Sequence, residues 1–176
     1  MSRRFSAAIA ALFLFPSAPV MAKSACNTPA EIGSMQYRQL QIELMVATLK
    51  CGGGAYDYRG HYADYLRKAG PGLARNAKEL RAMFVRQGKG GAYLDRYLTG
   101  MSNDMQIRSQ TAGDYCEREH AVMERIAALS SAQLPGYAAE TVGTPYGAQA
   151  CAARRQGASS SRKAVKKAAR RATVEN

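Results

Sequence analysis

The chain has 176 residues, a formal net charge of +12 and a mean hydropathy of −0.32. Once its two unusual ends are set aside, the length leaves room for one ordinary domain. Four cysteines without a Cys-x-x-Cys pair, or a Cys/His pair at finger spacing, argue against a zinc module.

The first 22 residues read as an export signal. Arg3 and Arg4 give a positive start, and an apolar run follows from Ser6 to Phe15. Val20 and Ala22 occupy the positions a signal peptidase reads, which predicts cleavage before Lys23. The run is too short to span a bilayer, which takes roughly 20 apolar residues. The paired arginines match a twin-arginine signal poorly. A lipoprotein reading would acylate Cys26, but Lys23 stands where an aliphatic residue is wanted.

The next segment, 23–151, holds the predicted domain. Leu40, Leu44, Ala47 and Cys51 form one helical stripe, so 34–51 is the first predicted helix. Gly52-Gly53-Gly54 ends it, with glycine expected to take the left-handed backbone of a helix stop. A second helix is expected over 56–69, with Tyr58, Tyr62, Tyr65 and Leu66 on one side. Gly70-Pro71-Gly72 is expected to break it. A third, over 72–87, carries Leu73, Ala77, Leu80 and Phe84 and stops at Gly88-Lys89-Gly90-Gly91. A fourth, over 92–110, carries Tyr93, Leu94, Tyr97, Leu98 and Met101. A fifth, over 115–130, faces Cys116, Val122, Met123, Ile126 and Leu129 inward, with Asp114 and Glu117 as a capping box. Residues 132–151 read as a loop that wraps back over the bundle. No stretch alternates with period two, so the fold class is all-α, a bundle of about five helices.

Cys26, Cys51, Cys116 and Cys151 all follow the signal, and an even count in an exported chain predicts two disulfides. Three pairings are open. Cys51 and Cys116 lie at helix edges where packed helices meet, and Cys26 and Cys151 bracket the domain. The expected pairing is therefore Cys51–Cys116 with Cys26–Cys151.

The candidates for chemistry are few. The glycine clusters lack the strand and the Lys-Ser/Thr ending of a phosphate loop and read as helix stops. His61, among Asp57, Arg59 and Asp64, could be oriented as a general base but has no nucleophile beside it. His120 follows Cys116 by one helical turn, a spacing that suits a shared metal unless a disulfide consumes the sulfur. A solvated helix position is the plainer reading of each. Asp95, Arg96 and Thr99, with Asn103, Asp104 and Arg108, could line an anion pocket, or simply form hydrogen bonds and salt bridges. Ten tyrosines and no tryptophan allow stacking on a sugar or peptide, but a tyrosine-rich core edge with hydroxyls reaching water is the commoner arrangement. No cofactor or metal is expected.

The last segment, 152–176, carries eight Lys/Arg against one Glu and reads as a disordered basic tail. Arg162-Lys163, Lys166-Lys167 and Arg170-Arg171 repeat every four residues, with alanine and valine between them. Like charges at this spacing oppose a helix in water, and an anionic surface would remove that repulsion. The apolar side is too small for deep insertion into a membrane. These six residues are the candidate contacts with an anionic envelope lipid or polymer.

The segment from Leu40 to Cys51, then Asp95-Arg96-Tyr97-Leu98-Thr99, then Tyr115-Cys116, resembles a family of uncharacterised exported helical proteins from bacteria. The resemblance covers about 35–130. It implies an all-helical fold and an envelope location, and it carries no activity or site residues.

The expected function is thus a non-enzymatic binding or structural protein of the periplasm or exterior, with the bundle meeting a protein partner. A cell-wall enzyme or inhibitor-like effector using His61 or the Asp95/Arg96 region is the first alternative. Nucleic-acid binding through the tail is the second, if export fails.

Overall fold

Thr28-Pro29-Ala30-Glu31 starts the first helix of the computed structural model, which describes residues 25–152. The Thr28 hydroxyl accepts from the Glu31 amide at 3.3 Å, and the Glu31 carboxylate accepts from the Thr28 amide at 2.8 Å. This capping box, with proline at the first helical position, sets α1 at Pro29–Cys51, so the helix begins before the expected residue 34. α1 buries residues on all its sides, among them Met35, Leu40, Ile42, Leu44 and Val46. It packs against every other helix and is the axis of the bundle. A helix buried all round shows no clean polar face, so the expected stripe captures only part of its packing.

α2 spans Tyr58–Arg86 as one helix. The expected break at Gly70-Pro71-Gly72 does not occur, and the two helices predicted on either side of it are one. Proline lacks one helical N–H and crowds the preceding turn, but tertiary packing outweighs that cost. Tyr65 and Ala69 before the proline, and Leu73 and Asn76 after it, are all buried. Arg38 of α1 clamps the same stretch, donating to the Leu73 carbonyl at 2.8 Å and to Asn76 Oδ1 at 2.9 Å. The helix does end at Gly88, whose φ of 79° is left-handed. There the Gly88 amide bonds the Val85 carbonyl and the Lys89 amide bonds the Phe84 carbonyl, a Schellman ending. Gly52 closes α1 differently, with φ of −68° rather than a left-handed turn.

α3 (Tyr93–Thr111) and α4 (Tyr115–Ala127) follow. Leu94, Tyr97 and Met101 of α3, and Met123 and Ile126 of α4, are buried as expected. Asp114 stands at the N-cap of α4 without a side-chain capping bond. It pairs instead with Arg118 at 3.3 Å, so the expected capping box with Glu117 is absent. Lys68 of α2 closes the other end of α4, donating to the carbonyls of Ile126, Ala127 and Leu129 at 2.9, 3.1 and 2.6 Å.

Within the segment expected to be loop, Leu134–Thr141 forms α5, which buries Leu134 and Ala138 against α1. The strap beyond it is held by α1 and α3. Gln36 donates to the carbonyls of Val142 and Gly143, Gln39 accepts from the Tyr146 amide, and Tyr97 donates to the Tyr146 carbonyl. The strap then returns to the start of the domain. Asn27 and Ala150 form an isolated parallel bridge, and no longer strand exists among the described residues.

The disulfides are Cys26–Cys151 and Cys51–Cys116, the expected pairing, with Cα–Cα distances of 4.8 and 5.7 Å. With its sulfur in a disulfide, Cys26 cannot carry a thioether-linked lipid. Two such crosslinks suit an oxidising, extracytoplasmic environment. No helix among the described residues is long and apolar enough to cross a membrane. The expected signal segment, and the tail from residue 153 onward, lie outside the described residues.

Candidate functional site

The two histidines, treated separately from the sequence, meet on one aromatic ring. Tyr56 stacks on His61 with centroids 4.8 Å apart, and His120 tilts against the same ring at 4.0 Å. His120 Nε2 lies 3.7 Å from the Glu124 carboxylate. The Tyr56 hydroxyl is shielded from solvent and outside strict hydrogen-bond geometry with any protein group. Burial, and then the neighbouring Glu124 carboxylate, push its pKa up to about 12. The cluster therefore holds a phenol that stays protonated, not a nucleophile. Cys116 is in a disulfide, so the Cys116/His120 metal pair loses its sulfur. No group of three or more His, Cys, Asp or Glu residues suited to a metal occurs among the described residues.

The polar cluster on α3 does not converge. Asp95 and Arg96 are exposed near its start, and Arg96 lies over the Tyr93 ring at 5.4 Å. The Thr99 hydroxyl donates to the backbone carbonyl of Asp95, not to its side chain. Asp104 pairs with Arg108 at 2.8 Å along the same helix. Asp95 and Asp104 are nine residues apart, which puts them on opposite sides of a helix and roughly 13 Å apart along it. These residues make local contacts along one helix, with one salt bridge among them, and do not line one pocket. His61 sits in a different groove, of about 340 Å³, with Asp64, Lys68 and Met123.

None of the ten tyrosines is exposed. They belong to the core and its edge, but their hydroxyls do not all reach water. Those of Tyr37, Tyr56, Tyr65 and Tyr115 are buried without a hydrogen-bond partner among the described residues. The expectation of hydroxyls reaching water fails at these four.

A surface depression runs between α1 and α2. Its first basin, about 570 Å³, is lined by Ala30, Glu31, Leu80, Met83 and Arg86. A second basin of about 280 Å³ adjoins it at Ala30, Ser34 and Glu79. The charges along the trough answer one another. Arg86 donates to the Glu31 carboxylate at 2.7 and 2.9 Å, and the Ser34 hydroxyl donates to Glu79 at 2.6 Å. Burial would raise the Glu31 pKa, but the Thr28 amide and Arg86 hold it below the ordinary carboxylate value.

The most perturbed acid lies elsewhere, between α1 and α4. Glu43 sits on the central helix, where burial raises its pKa against the opposing effects of a Gln39 hydrogen bond at 2.8 Å and the charge of Arg108. Across from it, Glu119 is pushed up to about 7, first by burial and then by Glu43. The Tyr115 hydroxyl is buried, and burial followed by the charges of Glu119 and Glu43 pushes its pKa up. Sequence reasoning missed this pair. The available signal was Glu43 itself, a charge flanked by Ile42 and Leu44 in a mostly apolar run.

No family model, curated protein or solved structure matches this chain.

Proposed function

We propose that this chain is an exported, non-enzymatic binding or structural protein of the cell envelope. The observation that supports this best is the double crosslinking of the bundle, Cys26–Cys151 and Cys51–Cys116, which suits a domain working outside the reducing cytosol. In this reading the chain is cleaved before Lys23, belongs to the exported helical family it resembles, and acts in the periplasm or beyond. Arg162, Lys163, Lys166, Lys167, Arg170 and Arg171 hold it to an anionic lipid or polymer. Residue 152 leaves the bundle beside the Cys26–Cys151 crosslink, so a tail held to a surface turns that pole of the bundle toward it. The bundle then presents its opposite end to a protein partner.

The test compares the oxidised protein from Lys23 to Asn176 with one ending at Cys151. Both are added to vesicles containing phosphatidylglycerol and, separately, to lipopolysaccharide. The longer protein should bind at low salt and be released as salt rises, because counterions screen such contacts, and the shorter should not bind. Equal binding by the two would overturn the reading. Cell fractionation tests the compartment: recovery of a full-length, uncleaved chain with nucleic acid would favour a nucleic-acid-binding tail instead.

A further inference from the structure

We propose that the trough between α1 and α2 is a binding site for an aliphatic carboxylate, with the hydrocarbon chain in the first basin and the charged head in the second. The site lies on the bundle itself and does not depend on the tail. Leu80 and Met83, both almost fully buried, line the first basin together with the small side chains of Ala30 and Ala82. Its volume of about 570 Å³ falls within the range of small-molecule sites. The charges at this end are already paired. Glu31 accepts both Arg86 bonds, and Arg86 also donates to the Cys26 carbonyl at 2.9 Å. A hydrocarbon chain laid here covers apolar surface and strands no charge.

The second basin has unmet polar capacity. It brings together Tyr37 of α1, Gly72 and Arg75 of α2, and Pro135 at the start of α5. Arg75 is exposed and makes no hydrogen bond or ion pair with a described residue. Glu79 stands one turn along the same helix, but it is engaged by the Ser34 hydroxyl at 2.6 Å. Tyr37 is only 4% exposed, and its hydroxyl has no hydrogen-bond partner among the described residues. That hydroxyl lies against Gly72, 2.9 Å from where a β-carbon would stand.

A buried donor without an acceptor is costly, and a guanidinium pairs with a carboxylate through two parallel N–H bonds. One carboxylate seated over Gly72 supplies an acceptor to both groups. The backbone leaves room for it. Gly72 has no side chain, and a β-carbon on Gly33, on the α1 wall of the same basin, would meet nothing within 4 Å. Glu79 sets the limit on ligand charge. It lines both basins at their junction and repels added negative charge, which favours a single carboxylate over a phosphate dianion.

The experiment titrates the oxidised protein with octanoate below its micelle-forming concentration and follows the backbone amides by NMR. Octanol, octylammonium and acetate supply the chain without the charge, the chain with reversed charge, and the head without the chain. Octanoate should shift Ala30, Gly33, Gly72 and Ala82 saturably, and each of the other three should bind more weakly. Arg75→Gln should weaken octanoate by up to about fivefold, the range of an exposed ion pair, and leave octanol unchanged. Tyr37→Phe keeps the ring, removes the donor and should weaken octanoate alone. Gly33→Leu places a side chain in the open basin and should block octanoate. Octylammonium binding as tightly as octanoate, octanoate binding untouched by both Arg75→Gln and Gly33→Leu, or shifts confined to residues 152–176 would each overturn the proposal. The last of these would leave the anionic-surface reading of the tail standing. Should Gly33→Leu not fold, the map of shifted amides on the wild-type chain with the four probes decides.

Discussion

Lys68 shows how much one side chain can hold in this fold. Its ammonium meets three carbonyls at the end of α4, where the helix leaves its last acceptors unsatisfied and carries partial negative charge. Lys68→Met keeps most of the aliphatic stem and removes all three bonds. It should lower stability by about 1–3 kcal/mol, measured as a shift in the urea midpoint, because bonds to a charged donor exceed the ordinary net value. Nothing in the sequence distinguishes Lys68 from its charged neighbours Asp64, Arg67 and Arg75. Its role depends on which helix lies across from it, and local pattern does not carry that information. The same holds for Arg38, whose guanidinium finds Asn76 and Leu73 only because α1 and α2 pack together.

At the scale of the helix, the glycines beside Pro71 have opposite roles. A β-carbon on Gly70 would meet nothing within 4 Å, whereas one on Gly72 would lie 2.9 Å from the Tyr37 hydroxyl. Tyr37 is buried and cannot swing out into solvent. Gly70→Ala should therefore be neutral or stabilise by up to about 1 kcal/mol through helix propensity. Gly72→Ala should destabilise by about 1–3 kcal/mol through overpacking. Thermal melts of the two variants should separate, with only Gly72→Ala lowering the midpoint. Gly-Pro-Gly is a fair local stop signal, and it was overridden by the apolar face that continues through it at Tyr65, Ala69, Leu73 and Leu80. Much of the rest was legible. The apolar spacing of α3 and α4 and the cysteines at helix edges pointed to the bundle and its crosslinks. The early start of α1 was also readable in Thr28-Pro29-Ala30-Glu31. α5 was harder, because Pro135 and Gly136 resemble loop residues and its burial comes from α1. The Glu43/Glu119 pair joins residues 76 positions apart and required the packing of α1 against α4.

For the whole molecule, the crosslinks are nested, with sequence separations of 125 and 65. Loops of this length restrict the unfolded chain by about 4–5 kcal/mol each in the chain-entropy model. Cys51→Ser with Cys116→Ser should cost about that much and loosen α4 from α1. Cys26→Ser with Cys151→Ser should leave the helices in place and expose the strap. Amide hydrogen exchange separates the two outcomes: the first pair of changes should speed exchange in α4, and the second in residues 142–151. Equal loss of protection across the chain in both proteins would show that the bundle has no such division. The outer crosslink also has a mechanical meaning. Tension applied between residues 26 and 151 runs through a covalent sulfur bridge and bypasses all five helices. A load-bearing attachment at that pole could be pulled hard while the bundle, and whatever it holds, stays folded.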